Sequence, residues 1–356
     1  MKTRNYTIDF FRMIFIIIIC IYHFQNFINV KIIESGYLCV EFFFIVSGFY
    51  LYKSFKKQKN MDNLQYTIKK VKRMYPHYIF SLLVCIFLIT VNGIIKNKHE
   101  IVNTIYTFIS ESLMLQNIGI YKGGFNTPIW YISVLIFGGY IIYGLLKKDK
   151  DLFLRILGPI FVIFTFNLII SNSDTIENWN IIYGLYIPLL RGMADITIGC
   201  LLAEFIERYS NKIENLIDKR KLLFYIIEVL TFILLIYIII YKTEYDLYSL
   251  ILFSILILFA NCKISICSKL FDKEVFKKNG DLTYAMYLNH LSICMVMSVM
   301  YDILLSKIFN NKGVIIVLYI LIVIIYSYFT DKFVKYLIQK KGKNNKNKKI
   351  NKSISI

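Results

Sequence analysis

Nowhere in its 356 residues does this chain alternate apolar and polar residues over strand-length stretches. That absence excludes an outer-membrane barrel, whose strands need such alternation. No CxxC pair occurs among the seven cysteines. Cys20, Cys39, Cys85, Cys200 and Cys294 stand singly in apolar runs, where cysteine behaves as a small hydrophobe. Cys262 and Cys267 share a loop that the charge pattern places in the reducing cytoplasm, so neither a disulfide framework nor a metal site is expected. The first apolar run is too long for a signal sequence, lacks a small-residue cleavage site and carries His23, so it is expected to be retained. Acidic side chains are scarce too: 23 of them against 42 lysines and arginines leave a net charge of +19. This excess is spread over several loops instead of one compact domain, so nucleic acid is not an expected partner.

Apolar length is what the chain has in plenty. Hydrophobic residues make up 57% of it, aromatics 17%, and mean hydropathy is +0.57. A hydrocarbon core about 30 Å thick takes about 20 helical residues to cross, and runs of that size recur from end to end. The expected fold is all-α and integral to a membrane. Its spans are expected at 11–30, 37–52, 75–95, 128–146, 155–171, 183–203, 221–241, 246–261, 284–304 and 313–331. With the N-terminus inside, the inner segments hold 33 of the 42 basic residues and the outer loops hold 7, while Arg12 and Arg191 fall within helices. Basic residues favour the cytoplasmic side, so both termini are expected there.

Residues 1–335 then form one membrane domain. The stretch 336–356 contains KKGKNNKNKKINKS, too polar and repetitive to bury a core. It is expected to be a disordered tail that fixes topology with the help of anionic lipid. The outer loop 96–127 contains the mildly apolar IVNTIYTFISESLML, which fits either an interfacial helix or a plain loop.

Charge inside an apolar span is costly, so the ionisable residues there are the candidates for function. Residues 9–49 carry four of them, Asp9, Arg12, His23 and Glu41, on two apolar runs joined by a short turn. Eleven residues of helix rise about 16 Å in about three turns, so Arg12 and His23 share a face. Asp9, three residues before Arg12, can pair with it. The second run must return antiparallel, which brings Glu41 to the depth of His23, where a carboxylate could orient an imidazole base. Elsewhere, Lys69, Lys70, Lys72 and Arg73 cluster before Pro76, where a helix is expected to begin; they suit either topology or a phosphate-rich ligand. PLLRGMADITIGC places Arg191 and Asp195 four apart, an expected intramembrane ion pair, with Gly199 allowing close helix approach. GDLTYAMYLNH sets Tyr287 and His290 one turn apart, facing a common neighbour. Trp130 and Tyr131 are expected in an interfacial aromatic belt.

Together these residues resemble the acyltransferase family 3 membrane proteins, bacterial enzymes that O-acylate extracytoplasmic glycans. The resemblance covers roughly residues 4–335. It rests on the aspartate, arginine and histidine spacing of Asp9, Arg12 and His23. It rests also on Gly36, Glu41, Phe42, Phe43, Ser47, Gly48 and Phe49 in GYLCVEFFFIVSGF. KKVKRMYP, with Arg73 and Pro76, RGMADITIGCLLA and GDLTYAMYLNH extend it along the chain. Lys70 stands where the basic motif often has a first arginine, which keeps the charge but loses the planar fork. Leu135 stands where many members have a glutamate, so no such role carries over. Many members carry a hydrolase-like domain after the last helix, and with a short basic tail in its place here transfer is expected to be completed within the membrane domain or by a partner.

The resemblance implies a multi-pass protein of the bacterial cytoplasmic membrane that moves an acyl group, expected to be acetyl, from acyl-CoA. The acceptor implied is a hydroxyl of a surface polysaccharide or lipid-linked glycan precursor. Acyl-CoA would be a co-substrate, with no bound cofactor, and membrane lipid is the surrounding partner. His23 would be the base, or be transiently acylated, with Glu41 orienting it. Arg12 and Arg73, aided by Lys70, would hold the CoA head, and Asp9, Ser47, Arg191, Asp195, Tyr287 and His290 would line or brace the cavity. The residues by themselves also fit a transporter of a glycan or acylated small molecule, although the two halves show no inverted repeat of charges.

Overall fold

In the computed structural model, residues 4–354 are described apart from 59, 96–100, 122, 242–243 and 263–264. Nearly all of the described chain is helical, and its single sheet is a two-residue ribbon, β1 (Ile181–Ile182) against β2 (Leu185–Tyr186). Eight helices among the described residues are long and apolar enough to cross a membrane. Two more lie at expected spans: Asp246–Asn261, which is shorter, and Ile187–Lys219, which carries Arg191 and Asp195. The chain is an all-α integral membrane protein.

Helix α1 (Tyr6–Phe27) begins earlier than expected because Asn5 caps it, its side chain accepting the Ile8 N–H at 3.1 Å. Helix α2 covers Cys39–Lys57. The largest departure is α3, Asn63–Ile95, which runs straight through Pro76. A capping box starts it: Gln65 N–H donates to Asp62 Oδ1 at 2.7 Å, and Asp62 N–H to Gln65 Oε1 at 3.4 Å. An interior proline costs about 3 kcal/mol, and here Met74 and Tyr78, buried on either side of it, hold the helix in place. Lys70, Lys72 and Arg73 therefore sit within a helix, not at the helix N-terminus that would favour a phosphate. In the outer segment, α4 (Ile101–Ser112) is a helix, with Ile105, Tyr106 and Ile109 exposed along one side. Helix α5 is Trp130–Lys148. The final helix, Lys312–Ile354, continues into the basic stretch expected as a disordered tail; once a helix is nucleated, each further residue adds a hydrogen bond.

Packing between helices decides where the candidate residues go. Helix α2 packs most extensively against Ile187–Lys219, hereafter the Arg191 helix, and α1 packs most extensively against Lys277–Met300, the His290 helix. Contact between α1 and α2 themselves is much slighter. Small residues explain the first pairing. A side chain on Gly48 would strike the Ile196 carbonyl, and one on Gly199 would strike the backbone at Ile45 and Phe49. The two backbones touch there, as small residues permit in a membrane. The two arms of the N-terminal hairpin thus lie on different later helices.

Candidate functional site

That division moves Glu41 away from its expected partner. Glu41 is fully buried, and its Oε1 lies 3.2 Å from Arg191 Nε, across the α2–Arg191 helix contact. Asp195 is also fully buried and lies against the Glu41 carboxyl. Arg191 therefore pairs across to α2 instead of with Asp195 along its own helix, where an arginine preceding an acid is the weaker order. No contact between Glu41 and His23 occurs among the described residues. The ring beside His23 is that of His290, with centroids 5.1 Å apart.

His290 has a defined tautomer. Its Nδ1 lies 2.7 Å from the Tyr287 carbonyl oxygen, which can only accept, so Nδ1 carries the hydrogen. Nε2 is left as the acceptor, and it is buried with no hydrogen-bond partner among the described residues. Tyr287 itself turns to a different neighbour than His290: its hydroxyl donates to the Pro128 carbonyl, and its ring lies 5.4 Å from that of Tyr131. Tyr131 donates to the Phe43 carbonyl at 3.1 Å, so the Ser47 hydroxyl, also 3.1 Å away, must donate to Tyr131. Ser47, Tyr131, Tyr287, His290 and His23 form a continuous row.

Beyond this row lies the charged end, expected from the charge pattern to be the inner one. Asp9 pairs with Arg12 at 3.1 Å, as the spacing predicts, and also with Arg4. Arg12 stacks over the Tyr50 ring at 5.4 Å, and its charge reaches Tyr131. Arg73 is exposed and acts on Tyr66 and Tyr284. Lys70, one turn before it, lies 5.8 Å from the Tyr66 ring centre. Tyrosines thus connect the basic residues of α1 and α3 with the histidine pair.

At the other end, His23 opens into a cavity of ≈ 90 Å³ that Pro128, Trp130, Glu177, Trp179 and Arg191 also line. Trp130 and Tyr131 are buried, not belted at an interface, because Phe44, Trp179 and Arg191 pack on Trp130, and Phe43, Phe44 and Tyr287 on Tyr131. Arg191 stacks on both indoles, 5.1 Å from Trp130 and 6.0 Å from Trp179. Glu177, the carboxylate in the His23 cavity, accepts the Tyr22 hydroxyl at 3.3 Å. Burial pushes its carboxyl up from the usual range, against the opposing pull of Arg191 and of that hydrogen bond. Neither Glu177 nor Trp179 is suggested by a spacing rule; the one available signal is a tryptophan in an otherwise polar loop, SNSDTIENWN.

Buried polar side chains such as Glu41, Asp195, Arg191 and His290 converge between helices, with an unsatisfied imidazole nitrogen among them, as in a membrane protein with an internal binding cavity. The family model described as an acyltransferase domain, that of acyltransferase family 3, matches residues 5–332, and the chain belongs to this family. It is a membrane acyltransferase. No curated protein and no solved structure matches the chain.

Proposed function

We propose that this protein transfers an acyl group, acetyl in the first instance, from acyl-CoA to a hydroxyl of a surface glycan or its lipid-linked precursor. The observation that carries this reading is the His23–His290 pair at the floor of a cavity, joined by tyrosines to the basic end of α1 and α3. The charge distribution supports cytoplasmic termini and a bacterial cytoplasmic membrane. In that orientation Arg12 and Arg73, with Lys70, take the phosphates of the CoA head, and the pantetheine arm follows the row past Ser47, Tyr131 and Tyr287. Asp9 holds Arg12 in place. Arg191, Glu41 and Asp195 brace the chamber.

In the chemical step the acceptor oxygen attacks the thioester carbonyl carbon, and the hydroxyl proton passes to His23. The C–S bond then breaks, and the thiolate leaves as CoA after taking a proton. His290 takes the orienting part that Glu41 was expected to play: in the working complex its bare Nε2 would accept an N–H of His23, whose ring lies 5.1 Å away, and leave the other His23 nitrogen free as the base. Transient acylation of His23 yields the same products and is distinguished by trapping. The test is release of CoA and formation of ester by the purified protein supplied with acetyl-CoA and a glycan acceptor. His23→Ala should abolish both. Transfer at the parental rate by His23→Ala would refute the mechanism.

A further inference from the structure

The chain has two tryptophans, and both line the cavity above His23. Their rings meet edge to face, 5.0 Å between centroids at 79°. Trp130 is buried in the membrane domain, whereas Trp179 is half-buried and comes from the outer segment 171–186. That segment is held firmly. Ile176 N–H donates to Asp246 Oδ2 at 3.0 Å, and the Ile176 carbonyl accepts from Arg191 Nη1 at 2.8 Å. The same Asp246 oxygen also accepts the Tyr37 hydroxyl at 2.7 Å. The N–H and the carbonyl of Ile176 are thus both fixed by buried charged side chains, and the next residue is Glu177. Beyond Trp179 the chain closes with the β1–β2 turn, where Tyr183 and Gly184 both have positive φ, 50° and 77°. Two such residues match the twist of a tight hairpin.

We propose that Glu177 and Trp179 form the acceptor subsite of this transferase, with Trp179 covering the apolar face of a pyranose ring while Glu177 accepts a hydroxyl next to the one being acylated. The inference rests on the acyl-transfer reading for its word acceptor. An aromatic face offers a large apolar surface with little loss of rotamer freedom, and an ionised carboxylate makes the strongest hydrogen bonds to hydroxyls. The cavity volume of ≈ 90 Å³ equals about three waters at about 30 Å³ each. It admits one edge of a sugar, which suits a site that presents a single hydroxyl to His23. The 3.3 Å contact from Tyr22 is a long one for O–H···O, so a ligand hydroxyl can compete with it.

Because Trp130 and Trp179 supply all of the indole fluorescence, binding is read without activity. Full-length protein in a detergent with no sugar head group would be titrated with the methyl glycosides of glucose, galactose, mannose and N-acetylglucosamine, with sorbitol as the acyclic control. The expected result is a saturable change from at least one glycoside and none from sorbitol. Glu177→Gln should weaken it at least tenfold, and Trp179→Ala should cut ester formation at least tenfold, with Trp179→Phe, which keeps a ring face, restoring most of that loss. In turnover, Glu177→Gln should still release CoA to water while ester formation falls at least tenfold. No saturable change with any glycoside, or unaltered binding in Glu177→Gln, would overturn the subsite. Saturable glycoside binding with no CoA release from wild-type protein would instead overturn the acyl-CoA reading and leave the sugar subsite standing.

Discussion

The two ends of the polar row are built differently. At the inner end Arg12 is a quarter exposed, Arg73 is exposed, and Arg12 has one helical carboxylate and one aromatic face for company. At the outer end Arg191 is 1% exposed and touches Glu41, the Ile176 carbonyl and both indoles. Cations left half-solvated suit a large, soluble, exchangeable anion, because little has to be desolvated to bind it. Groups sealed from water and packed between helices suit a reaction that needs fixed positions. The contrast predicts that outer substitutions change rate and stability, and inner ones change affinity and salt dependence.

The largest effect is expected at His23. His23→Ala should lower transfer by roughly 10²–10⁴-fold, the usual contribution of a general base, with little change in the melting temperature of the detergent-solubilised protein. Next comes the buried ion pair. Arg191→Met leaves Glu41 uncompensated and should cost about 3–5 kcal/mol, measured by thermal or denaturant unfolding; a double Arg191→Met, Glu41→Met variant should recover part of this loss. A melting temperature unchanged in Arg191→Met would erase the distinction between the two ends. At the inner end, Arg12→Ala should raise KM for acyl-CoA about tenfold, a typical loss for one charged hydrogen bond, with kcat nearly constant. The wild-type KM should climb with ionic strength as the exposed cations are screened. A fall in kcat at unchanged KM would reverse the assignment of that end.

The smallest effect concerns Glu111, near the end of α4. Glu111 accepts N–H groups of Phe125 and Asn126 at 3.0 and 3.4 Å. Burial nevertheless pushes its carboxyl up to about 7 from an ordinary 4.5. In the folded protein the proton is kept through this window, whereas in the unfolded chain it is lost, so stability should fall as pH rises from 4.5 to 7. Below that window both states are protonated and Glu111 contributes no slope. Glu111→Gln should flatten the dependence in melts recorded across it, and an unaltered slope would remove Glu111 as its source.

Much of this was readable in the residues. Apolar run length is a local property, so the membrane fold and nearly all spans follow from it, as does the Asp9–Arg12 pair three residues apart. Helix pitch alone puts Arg12 and His23 on one face of α1, but the row that joins them, Tyr131, Tyr287 and His290, comes from other helices. What sequence order misleads about is partnership between distant elements. Two consecutive helices are expected to face each other, yet Glu41 goes to Arg191 and His23 to His290, because Gly48 and Gly199 let α2 approach a later helix more closely than it approaches α1. Pro76 is read as a helix start when the capping box at Asp62–Gln65 is the true one. Glu177 becomes visible only when Ile176 before it is seen pinned by Asp246 and Arg191, which no spacing in the chain announces.

The division of the hairpin also bears on how the enzyme comes into being. His23 emerges from the ribosome among the earliest residues and His290 among the late ones, so the imidazole pair cannot exist until nearly the whole chain has been inserted. On the acyl-CoA reading, a nascent chain would already hold the cations proposed to bind the donor but no assembled base, and would take up a thioester without the means to spend it on water.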